Sequence, residues 1–386
     1  MSVSINGAAA AELRFTGGAA DRTNTVAIFH APVDWPKRGL LKTSAADEVA
    51  YQVDTQGIGR TVLPRLGARQ TVTVSLIQGA APAQRLSVQP QPGQLCFQLD
   101  GKPVFSLQTV AASPPRPDVP AKFQRGGYLH PILTPLGQAI TDDYPTNHLH
   151  HHGIWSAWTK TEFQGRHPDF WNMGDQKGKV DIRELSALWQ GPVDAGFETQ
   201  LTYTDLTGTS PTAVLEEQWT VRVYAIRTGT DRARRVFDLE SHQKLLTDAP
   251  LLLPKYHYGG VGFRGLEQWN GKGNWKVLTA SGETDREKAN FTKSPWCYVG
   301  GAVAGGGQGG IAILCHPTNF RAPQPMRVHP TEPFFNYAPQ QDGDMSLEPA
   351  RTYVARYRYV VFDGEPDRAE IQRWWEDYAD PVEGRF

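Results

Sequence analysis

The run Asn147-His148-Leu149-His150-His151-His152-Gly153-Ile154-Trp155 holds four of the chain's eleven histidines within five residues. Imidazole carries protons and binds metals near neutral pH better than any other side chain. A mid-chain run framed by Tyr144-Pro145 and Trp155-Ser156-Ala157-Trp158 therefore marks a site. If the run is extended, His148, His150 and His152 share one face, and His151 faces the other way with Leu149. Three imidazoles on one strand face could ligate a divalent ion such as Zn²⁺, Cu²⁺, Mn²⁺ or Fe²⁺. They could equally act as general acid, base and substrate hydrogen-bond donors with no cofactor at all. The plain alternative is that one or two of them are satisfied turn or core histidines.

Three further constellations could join them. In Leu215-Glu216-Glu217-Gln218-Trp219-Thr220-Val221-Arg222-Val223, alternation puts Glu217 on the apolar face with Leu215, Trp219, Val221 and Val223. A carboxylate there is costly unless paired, and desolvation raises its pKa toward a useful acid/base value. Glu217 is thus the expected acid partner of the histidines, with a buried arginine partner as the structural alternative. The run Pro254 to Gly265 sets Tyr256, His257 and Arg264 among four glycines. Glycine allows close approach of a ligand, and arginine grips hydroxyl or carboxylate oxygens. Last, His316 and Asn319 follow the apolar stretch Ile311-Ala312-Ile313-Leu314 and are expected at a cleft rim, although Asn319 could simply cap a turn. Glu332 and Asn336, near Phe334-Phe335 and Tyr337, are weaker additions.

The elements that must position these residues read mostly as short strands. Phe197, Thr199, Leu201 and Tyr203 share one face of a strand, and residues 354–361 alternate in the same way. Leu95 to Leu99 and Lys102 to Leu107 flank Asp100-Gly101, the two-residue turn of a β-hairpin. The proline-rich stretch 112–120 is expected as a loop crossing one sheet architecture. The tract from Gly300 to Gly310 lacks the ending of a phosphate loop and reads as a hairpin loop. One helix is expected, starting at Pro366, carrying Ile371, Trp374, Trp375 and Tyr378 at helical spacing, and stopping at Asp380-Pro381.

Bulk properties narrow the class. Lys+Arg 39 against Asp+Glu 40 leaves a net charge of -1, so no field favours nucleic acid or an anionic membrane. No apolar run approaches a membrane span. High Gly 38 and Pro 29 with Trp 11 suit an all-β protein with aromatic-lined clefts, which are common in sugar binding. Cys96, Cys297 and Cys315 are odd in number and widely spaced, which predicts three buried thiols. The start shows no basic-then-apolar leader, so the expectation is a cytoplasmic chain, or a periplasmic one whose leader has been removed. No nucleophile elbow, H-E-x-x-H helix, Walker loop or dinucleotide fingerprint occurs. At this length the first 90 residues are expected either as a separate β region or as part of the same sandwich as residues 91–386.

Several runs in order resemble a bacterial family of uncharacterised proteins labelled "methane oxygenase PmoA". They are Tyr128 to Pro135, Thr141 to Pro145, His148-x-His-His-x-Gly153, Phe170-Trp171-Asn172, Glu217-Gln218-Trp219, Tyr256 to Gly265, His316 to Arg321 and Pro333 to Pro339. The resemblance covers roughly residues 95 to 380. It implies His148, His150 and His151 as the family's positions, while the family often has a longer basic side chain where this chain has His152. It also implies a galactose-mutarotase-like β-supersandwich with a short C-terminal helix. A membrane oxygenase subunit would need apolar spans, so the label itself is set aside.

Together these readings predict an enzyme acting on a small carbohydrate or glycoside, cleaving a glycosidic bond by lyase- or hydrolase-type acid/base chemistry. A keto-sugar form would ease the reaction, because the keto group acidifies the neighbouring C–H. His148, His150 and His151 would supply base and electrophilic groups, Glu217 or His257 would protonate the leaving oxygen, and Arg264 and Trp155 would place the ring. The alternatives are an aldose 1-epimerase and a non-catalytic sugar-binding protein. A divalent metal at His148, His150 and His152 is the cofactor alternative.

Overall fold

A computed structural model describes residues 12–112, 114, 116–226 and 232–386. Two eight-stranded antiparallel sheets and a seven-stranded barrel organise the chain, so the all-β expectation holds. The first sheet runs Met326–Val328, Phe334–Tyr337, Gly260–Arg264, Ile154–Ala157, Tyr128–Ile132, Lys102–Gln108, Gln94–Leu99, Leu86–Gln91. The second runs Gly178–Trp189, Asp194–Asp205, Thr212–Tyr224, Arg234–Leu245, Tyr353–Asp363, Gln308–Cys315, Trp296–Ala302, Trp275–Thr279.

Alternation decides how they pack. In Thr212–Tyr224, Leu215, Glu217, Trp219, Val221 and Val223 are buried while Glu216, Gln218, Thr220 and Arg222 are half-exposed. That inner face meets the first sheet through large aromatics. Phe97 lies 5.6 Å from Phe197, and Phe105 lies 5.0 Å from Phe237, ring centre to ring centre. Each such buried side chain contributes on the order of 1.5–3 kcal/mol. The outer face of the second sheet is covered by the helix Arg368–Ala379, which sets Ile371, Trp374 and Tyr378 against Phe362, Trp296 and their neighbours. Its N-cap, Asp367, accepts from the Glu370 amide.

The barrel is closed by the strands Leu13–Thr16, Arg22–His30, Arg38–Thr43, Glu48–Val53, Ile58–Leu66, Thr71–Ile77 and, from the far end of the chain, Val382–Arg385. It has its own core around Phe15, Phe29, Tyr51 and Leu63. The next strand, Leu86–Gln91, is already the edge of the first sheet.

Local expectations fare well. Asp100 and Gly101 both take positive φ, 52° and 74°, as a two-residue hairpin turn requires. The strands Trp296–Ala302 and Gln308–Cys315 pair around the glycine tract. The 112–120 stretch joins two neighbouring strands of one sheet, with residues 113 and 115 outside the described ones. All three cysteines are buried and free. No helix among the described residues is long and apolar enough to cross a membrane.

Candidate functional site

Three central strands of the first sheet build the site. Ile154–Ala157 pairs with Gly260–Arg264, which pairs with Phe334–Tyr337. The Arg264 amide donates to the Gly153 carbonyl at 2.8 Å, and Arg264 is in register with Phe334. The histidine run therefore enters its strand beside the end of the arginine strand. Phe263 and Ile154 point into the core between the sheets, so Arg264, Gly262 and Trp155 point to the opposite, outer face. Gly262 makes that face possible. A Cβ there would stand 3.1–3.3 Å from Trp171, Phe334 and Trp155, whose rings close over it.

The histidine run is not extended, and here the period-two expectation fails. Two turns follow Pro145: the His148 amide donates to the Pro145 carbonyl and the His151 amide to the His148 carbonyl. The turns bring His148 over His151, ring centres 4.7 Å apart and nearly parallel, with His150 edge-on to His151 at 4.6 Å. His148, His150 and His151 thus form one cluster. His152 turns away, stacking on Tyr128 at 4.3 Å and meeting Asp143 Oδ1 through Nδ1 at 2.6 Å. The proposed metal trio of His148, His150 and His152 is split by this geometry. Among the described residues, no group of three or more His, Cys, Asp or Glu side chains is placed to hold a metal ion.

Arg264 is the hub. Its fully buried guanidinium donates from Nη1 to Glu332 Oε2 at 3.1 Å and from Nη2 to Asn147 Oδ1 and Asn270 Oδ1 at 3.0 and 3.1 Å. Nη1 also lies 3.5 Å from His151 Nδ1. Asn147 Nδ2 donates to the same Glu332 oxygen at 2.5 Å, and His148 Nδ1 stands 3.8 Å from it. Behind this polar front Trp155, Trp171 and Phe334 form a wall, with Tyr258 half-buried at its edge.

Burial decides the charge state of the cluster. Desolvation pulls the His148 imidazole below its ordinary value, opposed by Glu332 and assisted by Arg264. Desolvation, then His148, His152 and Arg264, bring His150 down to about 3. Burial holds His151 well below the ordinary range, and it lowers His152 against the pull of Asp143. At neutral pH the imidazoles are uncharged. That is the form able to accept a proton. His148 and His150 keep partial exposure, while His151 is buried behind them.

The other candidates divide. Tyr256, His257 and Tyr258 pack against one another in sequence, with tilted rings 4.3 and 4.4 Å apart, and Tyr258 joins them to Trp171 and Phe334. Trp155 is fully buried, so it supports the wall and does not present a face to solvent. His316 lies against Tyr378 of the C-terminal helix, and Asn319 bonds the backbone of Arg356 in both directions. Their contacts are with the second sheet and its helix. Asn336 donates to the Gly259 carbonyl at 2.7 Å and so fixes the tyrosine–histidine turn.

Glu217 is buried, as its place in the alternation requires, but its partners are hydroxyls. Tyr203 donates to Oε2 and Ser241 to Oε1, each at 2.5 Å, and Tyr203 also meets Ser156 at 3.0 Å. The charge of the fully buried Arg125 acts on the same group of residues. Ser156 points inward where Trp155 points outward, so Glu217 lies on the inter-sheet side, across the first sheet from the histidine cluster. Replacing Glu217 with leucine should cost about 1–3 kcal/mol for each of the two buried hydroxyls, Tyr203 and Ser241, left without their acceptor, measured as a shift in urea unfolding. Glutamine, which keeps the acceptor, should cost less.

Sequence reasoning underrated Glu332 and missed Asn147, Asn270, Trp171 and Phe334 as site residues. Glu332 lies between strands, where no alternation exists to violate. Trp171 and Phe334 do fall within the runs that carry the family resemblance.

The fold and this face together define an all-β sandwich protein with a histidine, arginine and carboxylate cluster on one sheet. The chain belongs to a family of unknown function, DUF6807, which it matches over residues 94–376. No curated protein matches the chain.

Proposed function

We propose that the chain is a carbohydrate-acting enzyme that breaks a glycosidic bond by acid/base chemistry at the outer face of the first sheet. The observation that carries this reading is a pair of partly exposed, neutral imidazoles, His148 and His150, set beside the Arg264–Glu332 pair and an aromatic wall. Proton acceptor, fixed cation, carboxylate and apolar wall are the groups that a sugar-cleaving site needs. The resemblance to the family labelled PmoA, and through it to galactose-mutarotase-like sugar enzymes, supports the substrate class by analogy alone.

In this reading His148 or His150 takes the proton from the carbon next to a keto group. Electrons move to expel the glycosidic oxygen, and an acid protonates that oxygen. A protonated His257 serves as the acid, the exposed Asn147 anchors hydroxyl oxygens, and the buried Arg264 holds Asn147 and Glu332 in place. Glu217 has a supporting place inside the sandwich. A hydrolytic variant uses the same base on water.

The test is product analysis of glycosides and their keto forms incubated with the chain. Release of an alcohol supports the reading. Mutarotation with no alcohol released would replace it with an epimerase, and saturable binding with no change in ligand would replace it with a binding protein.

A divalent metal does not fit the residues expected to hold it, because His152 faces Asp143 and Tyr128. Protein purified without a His tag should therefore carry no stoichiometric metal by elemental analysis, and chelation should leave turnover unchanged. A stoichiometric ion whose removal abolishes turnover would overturn this point.

A further inference from the structure

Phe291 is a bulky aromatic in a left-handed backbone conformation, φ 65°, with 58% of its surface exposed. Each feature is unfavourable for phenylalanine, and together they call for a reason. The backbone is held there by bonds on both sides: the Phe291 amide donates to the Met326 carbonyl at 2.9 Å, and the Met326 amide donates to the Thr292 carbonyl at 2.8 Å. The ring is also held. The Arg327 guanidinium lies 5.6 Å from the Phe291 ring centre and 4.9 Å from that of Tyr258, and it donates to the Tyr258 hydroxyl at 2.9 Å. His257 stands edge-on to Phe291 at 6.2 Å. An aromatic path therefore runs from the imidazole cluster through Trp171 and Tyr258 to His257 and Phe291.

We infer that Phe291 is the stacking platform of a second sugar-binding subsite, which takes the leaving-group ring of a disaccharide or longer glycoside. The inference rests on the reading of the histidine face as a sugar site. A pyranose suits the platform better than a flat aryl group. Its C–H bonds meet the electron-rich ring face, while its hydroxyls find the His257 imidazole that stands edge-on to Phe291. Arg327 occupies the space between Phe291 and Tyr258, so a ring docks from the solvent side. Phe291 does not touch the His148–His150–His151 cluster and is assigned specificity alone.

The experiment compares matched ligand pairs by calorimetry and saturation-transfer NMR: methyl β-glucopyranoside with cellobiose, methyl α-glucopyranoside with maltose, and methyl β-galactopyranoside with lactose. The variants are Phe291→Asn, which tolerates the left-handed backbone, and Phe291→Trp, which keeps an aromatic face. At least one disaccharide should bind more tightly than its methyl glycoside. Phe291→Asn should erase about 3- to 10-fold of that affinity, the range expected for one aromatic contact, leave the methyl glycoside unaffected, and be rescued by Phe291→Trp. Equal binding of both members of every pair, or an unchanged preference in Phe291→Asn, overturns the second subsite while the sugar-site reading stands. Binding of no member of any pair counts against both.

Discussion

Replacing Arg264 with methionine should lower folding stability by about 3 kcal/mol, the lower end of what breaking a buried ion pair costs. The guanidinium is fully buried, but Glu332 keeps 17% of its side chain exposed, so water compensates part of the lost partner. Methionine fills much of the same volume, which keeps a packing defect from dominating the result. What the substitution leaves behind is the Oδ1 atoms of Asn147 and Asn270 and the Glu332 carboxylate, all robbed of a donor. The measurement is the urea unfolding midpoint at constant m-value. Because Asn147 begins the histidine turn, turnover should fall as well, even at temperatures where the variant is folded. A midpoint within experimental error of the parent would show that this network contributes nothing.

The second large effect is on chemistry. His148 and His150 are partly exposed, and their polar contacts are with the site's own rim. Alanine at both positions should therefore cost little stability, about 1 kcal/mol or less for side chains near the surface. General base catalysis contributes typically 10²- to 10⁴-fold, so kcat/KM for a cleaved glycoside should drop by about that factor. His151 is different. It is buried between His148 and Phe334, so its replacement by alanine should reduce stability and turnover together. Unchanged turnover in the double variant would remove the histidines from the mechanism.

How much of this was legible in the sequence depends on how local the cause is. The Asp100-Gly101 turn and the Asp367-capped helix are set by a few adjacent residues, and both are found where expected. The alternation of Thr212–Tyr224 correctly marks Glu217 as buried, because period two is a property of the strand itself. It is silent on which side of the opposing sheet a partner lies, and that decides Glu217's surroundings. The histidine run misled for a related reason. Period two was applied to residues that Pro145 and two turns carry out of the extended conformation, so the pairing is His148 with His151. Glu332 and Asn147 are separated by 185 residues, and no short window reveals such a contact. The same holds for the barrel, whose Arg22–His30 strand pairs in parallel with Val382–Arg385 at the other end of the chain.

The central claim is that neutral, desolvated imidazoles on this face act as the base. A base works only when unprotonated, and the histidines here have folded-state values below the ordinary 6.5. The sign follows for stability too: between 6.5 and the lower folded-state values the unfolded chain binds more protons, so stability present above pH 6.5 is lost as the pH falls through that window. The decisive measurement is kcat/KM for a cleaved glycoside against pH, with intrinsic fluorescence reporting that the fold is intact at each point. The profile should stay level on its acid side from neutrality to below pH 6.5 and fall only in more acid solution. An acid limb with its midpoint at or above 6.5, or a profile indifferent to the loss of His148 and His150, would contradict the assignment.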